Sequence, residues 1–117
     1  MIIKLNERVN YTKDNFKGGE GTVDFKEILS SGQMPGNIKV YSTLTYKKGS
    51  SIGYHTHVGE QEVILVIKGK GIVTDDGKEY EVTVGDVNIC LENHYHCIRN
   101  ESDEDLQIVA LVIEKSA

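Results

Sequence analysis

All four histidines of this 117-residue chain stand in two short clusters, His55-Thr56-His57 and His94-Tyr95-His96, and Glu62 follows the first cluster closely. Imidazole and carboxylate together are the ligands of a divalent first-row metal, and the absence of a cysteine from the set argues against a closed structural zinc cage. Residues two apart on a β-strand project to the same face, so His55 and His57 can hold one ion between them if they lie on a strand. Glu62 follows the loop that reverses the chain, at the start of a strand neighbouring the histidines, and His96 starts a later strand and can supply a third imidazole. The set is then three neutral nitrogens and one hard, charged oxygen. A six-coordinate ion held this way keeps two positions for water, oxygen or a chelating small molecule.

The elements that must position these residues read as strands. Residues 39–46 mix β-branched and aromatic side chains until Lys47-Lys48-Gly49-Ser50-Ser51 breaks the run, and residues 52–57 resume it. Residues 63–67 are an unbroken apolar run too short and too β-branched for a helix. Residues 72–74 and 79–84 flank Asp75-Asp76-Gly77-Lys78, where Asp-Gly suits the tight turn of a hairpin. Residues 87–90, 96–99 and 106–113 are further strands, and 22–29 is another ahead of the 30–37 loop that holds the only proline, Pro35. No segment reads as a helix. About eight short strands at this spacing predict an all-β antiparallel sandwich or jelly roll.

Length and composition fit one compact domain over residues 1–117. A hydrophobic fraction of 38% and a charged fraction of 26% are those of a folded chain. The net charge of −5, with 13 Lys and Arg scattered along the sequence, disfavours nucleic acid as a partner. The apolar residues before Asn6 are too few for a signal sequence or a membrane span, so no membrane partner and a cytoplasmic location are expected. Cys90 and Cys97 are accordingly expected to be reduced rather than paired.

Gly49, His55, His57, Glu62 and Gly69 satisfy G(x)5HxH(x)4E(x)6G at every specified position, and Gly85, His96 and Asn100 satisfy much of G(x)5PxG(x)2H(x)3N. This pair of motifs, covering residues 49–100, resembles the cupin family. The second motif departs at Leu91, where the family usually has proline, and at Asn93, where it usually has glycine; asparagine tolerates the left-handed backbone that a glycine would take there. The resemblance implies a double-stranded β-helix barrel with N-terminal strands within 1–46 and a C-terminal strand over 106–113. It also implies His55, His57, Glu62 and His96 as metal ligands. The whole pattern is most similar to small single-domain manganese-type cupins described as oxalate decarboxylase-like, which implies Mn, although Fe, Ni, Zn or Cu would suit the same ligands. The three motif glycines are expected to make tight turns at strand ends.

The neighbours of the ligands carry weaker expectations. Glu60 and Gln61 are placed in a solvated loop. His94 sits before or within a turn, where strand parity does not fix its direction, and it is expected at the surface or beside the ligands rather than among them. Tyr54 and Cys97 alternate with ligands and should face away from the metal. Tyr41, Thr43, Thr45 and Tyr46 lie on a strand of undetermined register, so no catalytic base is assigned. Small dianions are usually held by an arginine fork, yet the chain has only Arg8 and Arg99, and parity turns Arg99 away from His96. This, and the family's use of two domains for oxalate decarboxylation, weakens that activity here. A metalloenzyme acting on a small oxygen-rich organic acid or sugar derivative, of dioxygenase, isomerase or decarboxylase type, is the leading expectation; a non-catalytic binding module and a barrel with a purely structural metal are the alternatives. Finally, Val63, Leu65 and Ile67 alternate with the inward Glu62, Ile64 and Val66, so an N-terminal strand or a second subunit must cover them, and a homodimer is expected.

Overall fold

The computed structural model describes residues 1–115; the last two residues of the expected 1–117 domain lie outside it. Strand-forming runs and positive-φ turns produce two antiparallel sheets. One has the order β1 (Asn10–Asp14), β2 (Thr22–Glu27), β3 (Ile38–Tyr46), β10 (Leu106–Glu114), β5 (Glu60–Lys68) and β8 (Val87–Cys90). The other has the order β4 (Ser51–Thr56), β9 (Tyr95–Arg99), β6 (Lys70–Asp75) and β7 (Lys78–Thr83). The all-β jelly-roll expectation holds, and β1 is a strand that the sequence did not suggest. Besides strands, the described residues form only two three-residue 3-10 turns, at Leu5–Glu7 and Phe16–Gly18. No helix among them is long and apolar enough to cross a membrane.

The sheets meet through side chains that alternate inward. Val23, Phe25, Leu44, Ile64, Val66, Ile108 and Ala110 of the larger sheet pack with Ile52, Val73 and Ile98 of the smaller one. The β6–β7 hairpin closes as expected. Asp75 pairs with Lys78, and the two residues between, Asp76 and Gly77, both have positive φ, the geometry that suits the right-handed twist of a hairpin. Gly49, Gly69 and Gly85 also take positive φ at strand ends. Asn93 has φ 69°, so asparagine supplies the left-handed turn in place of glycine.

On β4 the strand alternation changes phase. Ile52 pairs with Ile98 and His55 with His96, so three steps on β4 match two on β9, and a bulge lies at Gly53-Tyr54. Ile52 and His55 therefore both face inward although they are three positions apart. The bulge also receives the N-terminal segment, because a Cβ at Gly53 would collide with the Lys17 carbonyl of the Phe16–Gly18 turn. That turn is seated against β4 just ahead of the histidines.

The expected outer apolar face is present and the N-terminal strand does not cover it. β1 lies at the opposite edge of the large sheet from β5 and β8. Two cross-strand rows, Leu111-Val63-Ile89 and Val109-Leu65-Val87, run over β10, β5 and β8, and Ile89 and Val87 remain 52% and 55% exposed.

Because the atoms that a Gly53 side chain would meet are backbone, Gly53→Ala should destabilise the fold by about 1–3 kcal/mol. A fall in the urea midpoint at unchanged m-value is the expected observation.

Candidate metal centre

The four expected ligands converge. Their ligand atoms lie within 4.8 Å of one another. The two sheets contribute unequally: β4 and the residue after it carry His55 and His57, β9 carries His96, and β5 carries Glu62. The sequence placed Glu62 on a strand beside the histidines, but β4 and β5 belong to different sheets. His55 and His96 are direct cross-strand partners, whereas Glu62 pairs with Cys90 and Val112 and reaches the imidazoles across the interior. Its Oε1 lies 2.7 Å from His96 Nε2, 3.1 Å from His57 Nε2 and 3.7 Å from His55 Nε2.

Each imidazole is held by its other nitrogen. Nδ1–H donates to the Gly53 carbonyl in His55 (2.8 Å), to Glu60 Oε1 in His57 (3.0 Å) and to Asn88 Oδ1 in His96 (2.8 Å). With the proton on Nδ1, the Nε2 lone pair is free, and second partners of this kind fix both tautomer and ring direction in metal sites. All three lone pairs point into one space: His96 Nε2 is 3.2 Å from both His55 Nε2 and His57 Nε2. Two unprotonated nitrogens at that distance have no hydrogen to share. A cation between them and the carboxylate satisfies all four, so the donor set fits a divalent metal.

The electrostatics agree with that arrangement. Burial would raise the Glu62 pKa, but the three imidazoles crowded about its oxygens outweigh it and keep the carboxyl well below its usual range, so it offers a charged donor. The carboxylates of Glu62 and Glu60 on either side of His57 hold its pKa above the usual imidazole value against its burial, a pull on positive charge. His57 and His96 are buried, and the turn at residues 93–94 clamps the His57 backbone: Asn93 N–H donates to its carbonyl (2.8 Å), and its own N–H donates to the His94 carbonyl (3.3 Å). The second motif thus supports a ligand of the first.

Several neighbours differ from expectation. Glu60 and Gln61 belong to β5 rather than to a solvated loop, and Glu60 is tied to both His57 and Lys39, the latter at 3.0 Å. The reason is that the reversal after β4 is completed in three residues, which brings Glu60 to the Nδ1 edge of His57. Asn88 carried no signal in the sequence, because its role depends on β8 lying beside β5. His94 lies at the surface, paired with Asp76. Tyr54 faces outward, with its hydroxyl accepting the Gly77 N–H at 2.6 Å. On β3 the register turns Tyr46 inward and leaves Tyr41, Thr43 and Thr45 on the opposite face. Cys90 and Cys97 are free thiols, and burial, with Glu62 adding, pushes Cys90 up to about 12.

The ligands open onto a cavity of about 220 Å³. Neither arginine lines it. Arg99 is engaged by Glu79 and Glu101, both at 2.8 Å, and Arg8 by the Glu27 and Lys26 carbonyls and Thr43. Three lysines line it instead, Lys13, Lys17 and Lys39. Sequence parity had no means to find them, since Lys13 lies on β1 and Lys17 on the turn seated against β4.

A family model for the cupin domain matches residues 42–113, which include all four converging residues. The chain belongs to the cupin family. It is 30% identical over 113 residues to a Thermotoga maritima protein named oxalate-binding protein, covering 97% of this chain and 93% of that one. It is similar to a crystal structure from Thermotoga maritima titled a predicted oxalate decarboxylase, with a TM-score of 0.92 and 30% identity over 97% of this chain and 99% of that chain. A cupin protein from Bacteroides fragilis shares the fold, with a TM-score of 0.69 and 18% identity over all of this chain and 84% of that one.

Asn88→Ala should lower divalent-metal affinity about 10- to 100-fold, the usual cost of losing a ligand's outer partner. Titration of the metal-free variant against a chromophoric chelator would check this, with circular dichroism confirming an unchanged sheet content.

Proposed function

We propose that this cupin holds a divalent metal through His55, His57, Glu62 and His96, and that a small oxygen-rich acid chelates the remaining positions. The observation that carries the reading is the convergence of three Nε2 lone pairs and one carboxylate oxygen, each imidazole locked by a partner on Nδ1. The lysines along the cavity favour an anion, and the oxalate-binding relative supports a carboxylate. Manganese is the metal favoured by the family resemblance. When bound, such an ion acts as a Lewis acid that polarises a chelated oxygen. The chain's own contribution is to aim the imidazoles and to bring positive charge to the cavity wall through Lys13, Lys17 and Lys39, the last of which is shared with Glu60. We favour a metalloenzyme of dioxygenase, isomerase or decarboxylase type. Binding without turnover is the second reading, supported by the relative's name and by the state of Glu60, a carboxylate already engaged by Lys39 and His57.

We also propose a homodimer formed through the outer face of β10, β5 and β8, where the two apolar rows would otherwise face water. The free thiols favour a cytoplasmic location.

Protein purified without added metal should contain close to one divalent ion per chain by elemental analysis, and His57→Ala and Glu62→Ala should each lose it. Oxalate should bind the loaded protein and not the chelator-treated one in calorimetry. Wild-type metal content in both variants would remove the ligand assignment. Light scattering at micromolar concentration should give twice the chain mass, and Leu65→Glu should give the monomer.

A further inference from the structure

The cavity is built for more than a chelating head. Oxalate is oxygen on every side and has no apolar surface to bury. Beyond the metal-binding residues, however, the lining is largely aromatic and aliphatic: Tyr11, Phe16, Phe25, Leu44, Ile52 and Ala110 all contribute. Size points the same way. A cavity of about 150 Å³ lined by Leu, Ile and Phe accepts a benzene molecule, and this one measures about 220 Å³. It is smaller than a pocket for a drug-sized ligand. A metal with a chelating head at the inner end leaves room for one compact apolar group.

The aromatic wall is ordered rather than collapsed into the space. Tyr11 and Phe25 are stacked, with centroids 5.3 Å apart, and Phe16 meets Phe25 edge-on at 5.8 Å. Phe16 is held in place by the seating of its 3-10 turn on Gly53. The Lys13 ammonium lies 4.1 Å from the Phe16 centroid and 5.1 Å from that of Phe25, and it has no carboxylate partner within salt-bridge distance among the described residues. A lysine without a carboxylate partner beside an apolar space suits a ligand that carries both a negative charge and an apolar body.

We propose that the preferred ligand of this site is a small acid with an apolar body, its acid head and adjacent oxygen at the metal and its body against the wall formed by Phe16, Phe25 and Ile52. This rests on the metal-dependent acid binding proposed above and narrows its substrate class away from oxalate itself. Ala110 is the residue through which the body's space can be closed. It is buried, lines the cavity and pairs with Ile64, two residues along β5 from Glu62.

The test uses probes that share one chelating head and differ in the body. Calorimetry on the metal-loaded full chain would compare glycolate with mandelate, both 2-hydroxy acids, and with oxalate. Mandelate should bind about 10- to 100-fold more tightly than glycolate, the gain expected from burying one phenyl group. In Ala110→Val, with metal content measured in parallel, that ratio should fall toward one. Equal affinities for mandelate and glycolate in the wild type, while both bind only the loaded protein, would overturn this inference and leave metal-dependent acid binding intact. Failure of all three probes to bind the loaded protein would instead overturn the acid-binding reading on which it rests. Should Ala110→Val be poorly folded, Ile52→Val trims the same wall and should lower mandelate affinity without moving that of glycolate; no change in either would count against the proposal.

Discussion

Three imidazole nitrogens that carry lone pairs and stand about a hydrogen-bond length apart repel one another unless positive charge lies between them. In this protein no rotation of the rings relieves that repulsion. Each Nδ1–H is already committed, one to a backbone carbonyl, one to a carboxylate and one to an amide. Turning any ring outward would break such a bond and, for the buried His57 and His96, leave polar atoms unsatisfied. Glu62 adds a fourth donor, negatively charged, from the opposite sheet, and a divalent ion would compensate all four. The surrounding fold works as a clamp on this arrangement.

The clamp is assembled from both sheets. The smaller sheet sets His55 opposite His96, and the 93–94 turn fixes the His57 backbone. The larger sheet brings Glu62, Glu60 and Asn88 from β5 and β8, so closing the sandwich completes the site. The same hydrogen-bond logic reaches the far end of the motif region. Asn100, fully buried, donates to the Tyr46 and Glu104 carbonyls and accepts from Ser102, while its own backbone carbonyl accepts the Gly49 N–H at 2.8 Å. The first residue of one motif is thereby tied to the last residue of the other, and the barrel is fastened at both ends of the ligand strands.

Gly53 shows how densely roles are shared near the site. Its bulge changes the phase of β4 so that Ile52 joins the core while His55 faces the ligands; its carbonyl orients His55; and its missing side chain admits the segment that carries Phe16 and Lys17. One residue thus links the core, the ligand geometry and the cavity wall. None of these roles follows from the two histidine motifs, in which Gly53 is an unspecified position.

The four residues that converge and the all-β class were legible in the sequence because both depend on local regularities: same-face spacing of His55 and His57, motif spacing to Glu62 and His96, and turn chemistry such as Asp76-Gly77. The inward direction of Tyr46, the placement of Glu62 in the sheet opposite His55, and the service of Glu60 and Asn88 to the imidazoles were not legible. They depend on which strands become neighbours, and on a bulge that strict alternation does not anticipate. The cavity's lysines and aromatic wall were hidden for the same reason, since Lys13, Phe16 and Phe25 come to line it only when β2 and the Phe16–Gly18 turn pack against β4. By itself the sequence determined which atoms can bind a metal; tertiary structure alone decided what surrounds them, because strand pairing and sheet packing join residues whose separation along the chain carries no period.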